Sequence, residues 1–482
     1  MSLTLVPGAG IRAMPALGRF GSVNRVQRMT DTDARWHWMS PTMRSDQFLV
    51  YGFATPTATL DDIALGLLTR ARAIDDLTLR IVDVPGGLDR PYWRRTSVAA
   101  EHVRIVGGAM TWSQCLDRIA ASMVDQVDAR RHPWRLHLYG SVSPAPDGVA
   151  GDDLTVAVLQ VSHALGDGRR TSSIARELFS APDVGRTGVD ATGSVPAGPE
   201  LPEALAVPVT VLRGALRLPV ATAQMLTLGA LAFHRSRKSA PATVSGVRPT
   251  FLNAAPGTRR VIRTLTVRAT RLTTGGHSVT VGALTAISVA LPHYLAAAQG
   301  EPAHGGTTSR ATASDPTTIT LTMARTDTAR PVLSRNNFRT VSIDLHTEID
   351  DLDARASAIA AEIDSARTEH LDAAAITARQ AEQATPAPLR ILGVRQFDPE
   401  TIPDRIDGIS VVSSVHRGPA DLVLGGGQSR FTAGFPALSP VHGLNHGVHG
   451  LGENVTLSVI ASPRVCSDLD RYMNMLSDAV TS

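Results

Sequence analysis

Ser162-His163-Ala164-Leu165-Gly166-Asp167-Gly168 follows the apolar run Leu154 to Val161 and precedes a helix-like segment from Thr171 to Phe179. A short, largely β-branched apolar run bounded by turn residues reads as a buried strand. His163 is therefore set at a strand end, with an acid and a glycine one turn later. An imidazole there suits general-base work on a hydroxyl or thiol, because its ordinary pKa, about 6.5, lies close to working pH. Asp167 is expected to fix the loop, and Gly168 to leave room for a bulky substrate beside the base. The same residues also suit a satisfied structural histidine, and six residues match many sequences by chance. The rest of the chain has to decide.

The chain has 482 residues, enough for two domains of about 200 each. A hydrophobic fraction of 43% against 19% charged fits large cores. Net charge is +3, and the basic residues are arginines apart from Lys238. They are scattered, with no basic stripe interleaved with aromatics, which argues against a nucleic-acid partner. The two cysteines, Cys115 and Cys466, lie in different halves and outside any CxxC pattern. They imply no disulfide framework and no zinc, and they fit a reducing compartment. Arg12 and Arg19 interrupt the short apolar pieces of the N-terminus, so a secretory signal's continuous apolar core is missing. A cytoplasmic location is expected.

Residues 1–28, rich in Gly, Pro and Arg, read as a loose arm. Residues 29–182 read as a first domain carrying the motif, 183–247 as a linker with an apolar connector helix, and 248–482 as a second domain. Strands are predicted at 47–54, 153–161, 261–269, 317–323, 339–345, 409–414 and 455–461. Helices are predicted at 60–74, 112–129, 280–298, 350–368 and 468–480. Strands and helices alternate without strict βαβ spacing, which points to α/β layers with mixed sheets rather than a Rossmann unit. In the connector, Val207–Phe233, the uncharged stretch Leu218–Phe233 is too short for a membrane span of about 20 apolar residues. It leaves two alternatives. One is a core-packing connector whose basic end, His234 to Lys238, suits the helix dipole. The other is an interfacial helix whose basic end meets anionic lipid on the cytoplasmic face of a membrane.

Several ordered segments resemble the bacterial wax ester synthase/diacylglycerol acyltransferase family, within the chloramphenicol-acetyltransferase-like superfamily whose signature is HHxxxDG. Ser162 to Gly168 carries the second histidine as His163 and replaces the first by Ser162. Arg131 to Leu138 is similar to the family's RPLWRLHL strand, and Pro91-Tyr92-Trp93 with His102-Val103-Arg104 to its PFW…HVR segment. Leu252-Asn253 with Arg259-Arg260 resembles PLN…RR. Asn336-Asn337-Phe338 resembles its GN segment, and Ser413 to Pro419 its SNVPGP segment. Leu444 to Ser458, with Asn454, is similar to the late LN…S strand. Two departures bear on substrate choice. Val281-Gly282 lies near where the family has an Asn-Asp pair, and Ser414 stands for an asparagine.

The resemblance implies two chloramphenicol-acetyltransferase-like domains with an active-site tunnel at their interface. It implies acyl-CoA as co-substrate, no bound cofactor and no metal. The partner it implies is a hydroxylated lipid acceptor such as a long-chain alcohol or diacylglycerol, with contact to a membrane or lipid droplet. His163 would be the base and no acyl-enzyme would form. Asp167 would point away from the pocket and pair with an arginine, and Gly168 would leave space for CoA. Ser162 would fill the place of the missing histidine. Ser413 and Ser414 are candidates for oxyanion donors or are ordinary strand-end serines. Asn253 and Asn337 are candidates for the pocket or are turn caps. Two other functions stay open: acylation of a specialised metabolite, and a non-catalytic lipid-binding relative.

Other signals read as structural. His442, His446 and His449 lie in a Gly-rich stretch, 440–450, expected to be a loop and not a metal site. Gly425-Gly426-Gly427 lacks the Lys-Ser/Thr of a P-loop and reads as a hairpin turn. Trp36 and Trp38 are expected to pack under the N-terminal arm.

Overall fold

The computed structural model describes residues 27–148, 153–181, 203–237, 246–298, 317–325, 334–368 and 373–481. Residues 1–26 of the arm and most of the linker therefore lie outside the described residues, as does Lys238.

The first half contains β1 (Gln27–Arg28), α1 (Asp31–Met39), β2 (Gln47–Ala54), α2 (Leu60–Ala71), β3 (Leu79–Val82), β4 (Tyr92–Arg95), β5 (Val103–Val106), α3 (Trp112–Ser122), β6 (Trp134–Val142), β7 (Leu154–Val161) and α4 (Gly168–Phe179). A 34-residue helix, α5 (Glu203–Ser236), joins it to the second half. There follow β8 (Val261–Arg268), α6 (Val279–Ala298), β9 (Thr318–Ala324), β10 (Phe338–Asp344), α7 (Leu352–Thr368), α8 (Ala373–Ala384) and α9 (Ala387–Gln396). The chain ends with β11 (Val411–His416), β12 (Val423–Leu424), β13 (Gly427–Phe435), β14 (Leu444–Leu451), β15 (Asn454–Ala461) and α10 (Leu469–Thr481).

Two six-stranded mixed sheets carry the fold, in the orders β12-β13-β2-β7-β6-β5 and β10-β9-β11-β14-β15-β8. In the first, β5 runs parallel to β6; in the second, β11 runs parallel to both β9 and β14. A small sheet, β1-β4-β3, takes in Gln27 and Arg28, which pair with Trp93 and Tyr92 rather than trailing as part of an arm.

The two halves interlock. Strands β12 and β13 come from the second half of the sequence, yet β13 pairs antiparallel with β2 of the first sheet from Phe435↔Phe48 to Ser429↔Phe53. Gly425 and Gly426, at φ +55° and +91°, make the expected hairpin turn between β12 and β13. Strand β7 is buried along its whole length. On one face, Leu49, Tyr51, Leu136 and Leu159 pack under α2 and α4. On the other, Phe48, Val50 and Val158 pack with α3, and with Ile262, Phe431 and Ile460 of the second half.

Two sequence expectations change. The stretch 440–450 is not a loop, because Leu444–Leu451 is a fully buried strand. Its glycines serve close approach and not turning: a Cβ at Gly447 would lie 2.4 Å from the Gly434 carbonyl oxygen of β13. The second predicted helix stops at Ser122 instead of continuing to Ala129. Beyond it, the Asp46 carboxylate accepts the Val127 N–H at 2.7 Å and holds the chain in a turn.

Candidate active site

His163 opens a single helical turn directly after β7 and is half-buried where the halves meet. Its Nδ1 lies 2.9 Å from Asn336 Oδ1. The Asn336 amide is oriented from its other end, because Nδ2 donates to Asp33 Oδ1 at 3.0 Å and to the His163 carbonyl at 2.9 Å. Oδ1 can then only accept, so Nδ1 carries the hydrogen and Nε2 is the ring's acceptor. The indole of Trp36 stacks on the imidazole, with centroids 3.7 Å apart and planes 6° from parallel. Phe338 closes the group at 5.8 Å. Trp36 therefore packs on the motif histidine; residues 1–26 of the arm it was expected to pack under lie outside the described residues.

Asp33 explains why Asn336 stays in place. It is 1% exposed. Its two oxygens accept the backbone N–H of Arg335 and Asn336 and the hydroxyls of Thr30 and Ser334. Burial is the main influence on His163 and pulls its pKa below the ordinary value. Its own carbonyl, Asn336, Asp167 and Asp33 pull weakly the other way. At neutral pH the ring is uncharged and able to take a proton.

Asp167 holds the loop by a different route from the one the resemblance implied. Its Oδ1 accepts the N–H groups of Arg169 and Arg170, capping α4, and its Oδ2 accepts the Asn337 N–H at 2.8 Å. The arginine–carboxylate cluster of this region is built on Asp76 instead. Asp76 takes Arg170 Nε and Nη2 at 2.8 and 2.9 Å, and Arg335 Nη1 at 2.8 Å. Burial raises the Asp76 carboxyl, but the two guanidiniums outweigh it and hold it below the usual carboxylate range. Arg335 also lies over the Trp93 ring at 4.7 Å.

The other sequence candidates separate. Ser162 is buried, its N–H donating to the Pro133 carbonyl. A Cβ at Gly168 would lie 3.4 Å from Val415 Cγ2, so β11 runs past the motif. That brings Ser413 and Ser414 near it along the chain, with Ser414 Oγ 2.7 Å from Thr280 Oγ1. Asn337 contributes only backbone: its N–H to Asp167, and its carbonyl to the Arg325 N–H. Asn253 is remote in role, since its Nδ2 ties the Ile409 and Val441 carbonyls together and its Oδ1 accepts from Thr250. Gly282 sits so close to Leu272 that a Cβ would lie 1.9 Å from its carbonyl oxygen.

The three histidines do not converge. His442 reaches the Gly408 carbonyl, His446 bridges Ser410 and Tyr472, and His449 is buried beside Arg417. Burial drives His446 down to about 3. Asp344, His346 and Glu348 bring ligand atoms within 4.8 Å of one another, and the two ring nitrogens of His346 lie 3.3 Å from Glu348 and 3.2 Å from Glu362. Both cysteines are free and buried, with thiols pushed up to about 12 at Cys115 and about 11 at Cys466. They are inert as nucleophiles.

Asn336, Asp33 and Trp36 were missed from sequence. Asn336 was passed over for its neighbour Asn337, since nothing local distinguishes which of two adjacent asparagines faces a histidine 173 positions away.

This fold of two mixed sheets is found in solved acyltransferase and condensation-domain structures. The wax ester synthase/diacylglycerol acyltransferase from Marinobacter aquaeolei VT8 shares it over 94% of this chain and 98% of its own, at TM-score 0.57 and 16% identity. The starter condensation domain of rhizomide synthetase RzmA, solved with C8-CoA, matches over 94% of both chains at TM-score 0.50 and 12% identity. The condensation domain from the Monacolin K polyketide synthase MokA matches over 94% of this chain and 97% of its own, at 0.50 and 14%. No protein-family model matches the sequence, and no curated protein matches it.

Proposed function

We propose that the protein is an acyl-CoA-dependent O-acyltransferase that moves a fatty acyl group from CoA to a hydroxyl of a lipid acceptor. The observation that carries this reading is the orientation of His163. Asn336 holds the hydrogen on Nδ1, so Nε2 is free to accept a proton, and burial keeps the ring neutral. Nε2 takes the proton of the acceptor hydroxyl as its oxygen attacks the thioester carbonyl. A C–O bond forms, the C–S bond breaks, and the proton passes from the imidazolium to the CoA thiolate. His163 ends as it began, and no acyl-enzyme is needed. Such general-base catalysis supplies about 10²–10⁴-fold, and holding both substrates together supplies much of the rest.

The fold shared with acyl-transferring enzymes supports the reaction class, and the domain solved with C8-CoA supports acyl-CoA as donor. The apolar outer surface of α5 supports a lipid rather than a water-soluble acceptor. The test is release of CoA thiol from purified protein given acyl-CoA with long-chain alcohols, diacylglycerol and polar hydroxylated metabolites. His163-dependent release with the lipid acceptors is expected. Equal release by His163→Ala would overturn the base, and release only with polar acceptors would overturn the lipid reading.

A further inference from the structure

Helix α5 is built inside out for a protein in water. Pro208 and Pro219 lie within its 34 residues, which span roughly 50 Å at helical rise. Small residues face inward: Ala206, Gly214 and Ala232 are its buried positions. A Cβ at Gly214 would meet the Leu88 carbonyl oxygen at 3.1 Å. Six large apolar residues face outward, while Val209, Val211, Leu218, Met225 and Leu228 are half-buried. Leu212, Leu216, Val220, Leu226 and Phe233 are each between 57% and 66% exposed. Only 6% of its apolar window is buried, against 50% for α6, the other helix long and apolar enough to cross a membrane. A core-packing connector would show the reverse. Helix α9 packs on the same 85–90 segment, where a Cβ at Gly87 would meet Ile391, and it exposes Leu389 and Leu392.

The charges say what covers this ridge. Glu203 is the one acid in α5; Arg217 turns in to Asp89 and Arg235 to Thr377 of α8, while Arg213 lies exposed near one end of the apolar stretch and Arg237 just past the other. The apolar stretch is thus basic toward both ends, which suits a helix lying in the headgroup plane of an anionic lipid layer. A second copy packed antiparallel through this ridge would oppose one basic end to the other. The layer also adjoins the site. Glu382 of α8 pairs with Arg35 at 2.8 Å, and Arg390 of α9 with Asp31 at 3.0 Å. Both partners lie on α1, the helix whose Trp36 stacks on His163.

We propose that the outer faces of α5 and α9 dock the protein on an anionic lipid surface, with α5 lying in the interface rather than crossing it. This deepens the lipid-acceptor reading by naming where the acceptor's phase meets the protein, yet it is measured without turnover. The probe is flotation of the full chain with vesicles of phosphatidylcholine plus phosphatidylglycerol, beside vesicles of phosphatidylcholine alone. Flotation with the anionic vesicles is expected, weakening as salt rises. Combined Leu212→Gln, Leu216→Gln, Leu226→Gln and Phe233→Gln should lower bound protein at least tenfold with an unchanged melting midpoint. Arg213→Glu with Arg237→Glu, a separate surface variant, should lower it severalfold at low salt only. Protein that stays at the bottom at low salt overturns the proposal, as does wild-type flotation by both variants. A dimer in light scattering that the Gln variant dissolves, or flotation gained only on removing residues 1–26, would assign the ridge to another occupant and overturn it too. Lost flotation with His163-dependent thiol release intact defeats docking alone. Flotation without release defeats the transferase reading alone.

Discussion

Three side chains far in sequence from His163, two on α1 and one before β10, set the chemistry of its ring. Asp33 fixes Asn336, Asn336 fixes the hydrogen on His163 Nδ1, and Trp36 fixes the plane of the imidazole. His163→Ala should lower kcat/KM by about 10²–10⁴-fold, read as acceptor-dependent thiol release. The acid limb of the pH profile should have its midpoint below the ordinary imidazole value of about 6.5, because burial outweighs the groups that favour the cation. Asn336→Asp puts an anion against Nδ1 and stabilises the imidazolium, so the acid limb should move to higher pH. Asn336→Ala should lower kcat without that upward move. The motif made the place of His163 at a strand end legible from sequence, because strand, histidine, acid and glycine are contiguous there. Its three supports were not, because each is tied to the ring only through tertiary contact.

At the level of elements, Asp167 acts as the N-cap of α4 and as the anchor of the Asn337 N–H. Asp167→Ala should cost about 0.5–2 kcal/mol from the cap alone, seen as a lower denaturation midpoint. Asp167→Asn keeps one accepting oxygen for the Arg169 and Arg170 N–H groups and should recover the cap, while its NH2 loses the Asn337 contact. Gly282 shows a glycine required by close approach. Leu272 occupies the space a side chain would take, so Gly282→Ala should overpack α6 and destabilise by about 1–3 kcal/mol. The strands with plain β-branched patterning, β2, β7, β8 and β15, were read within a residue or two. Strand β14 was not, because His and Gly in Leu444–Leu451 mimic a loop when the need for close packing against β13 is unknown. Helices α8 and α9 were missed for a related reason: their exposed apolar residues blur the polar-outside stripe that helix periodicity relies on.

Over the whole molecule, buried imidazoles set the response to acid. Burial lowers the pKa of His102, His137, His442, His446 and His449 as well as His163. The unfolded chain takes up these protons from about pH 6.5 downward while the folded one does not. Their contribution is thus complete above that pH and is lost as pH falls, down to about 3 for His446. Asp46, raised to about 6 by burial, and Asp31, also raised by burial, work in the opposite sense, as two groups against six. The melting midpoint should therefore fall between pH 7 and pH 5. The shared sheet has its own consequence for stability. Without β13, β2 is an open edge with Phe48 and Val50 uncovered, so residues 1–202 expressed alone should aggregate. Co-expression with residues 203–482 should restore soluble material.

The same interlock puts a clock on the protein's birth. His163 leaves the ribosome 173 residues before Asn336, a wait of roughly 10–35 s at about 5–20 residues per second. Strand β13, which closes the first sheet, emerges later still. Any transcript cut short before these segments yields a chain that carries the motif but leaves the His163 ring without Asn336 to orient it. The motif loop is written early and ordered late, so only a nearly finished polypeptide holds the ring in place.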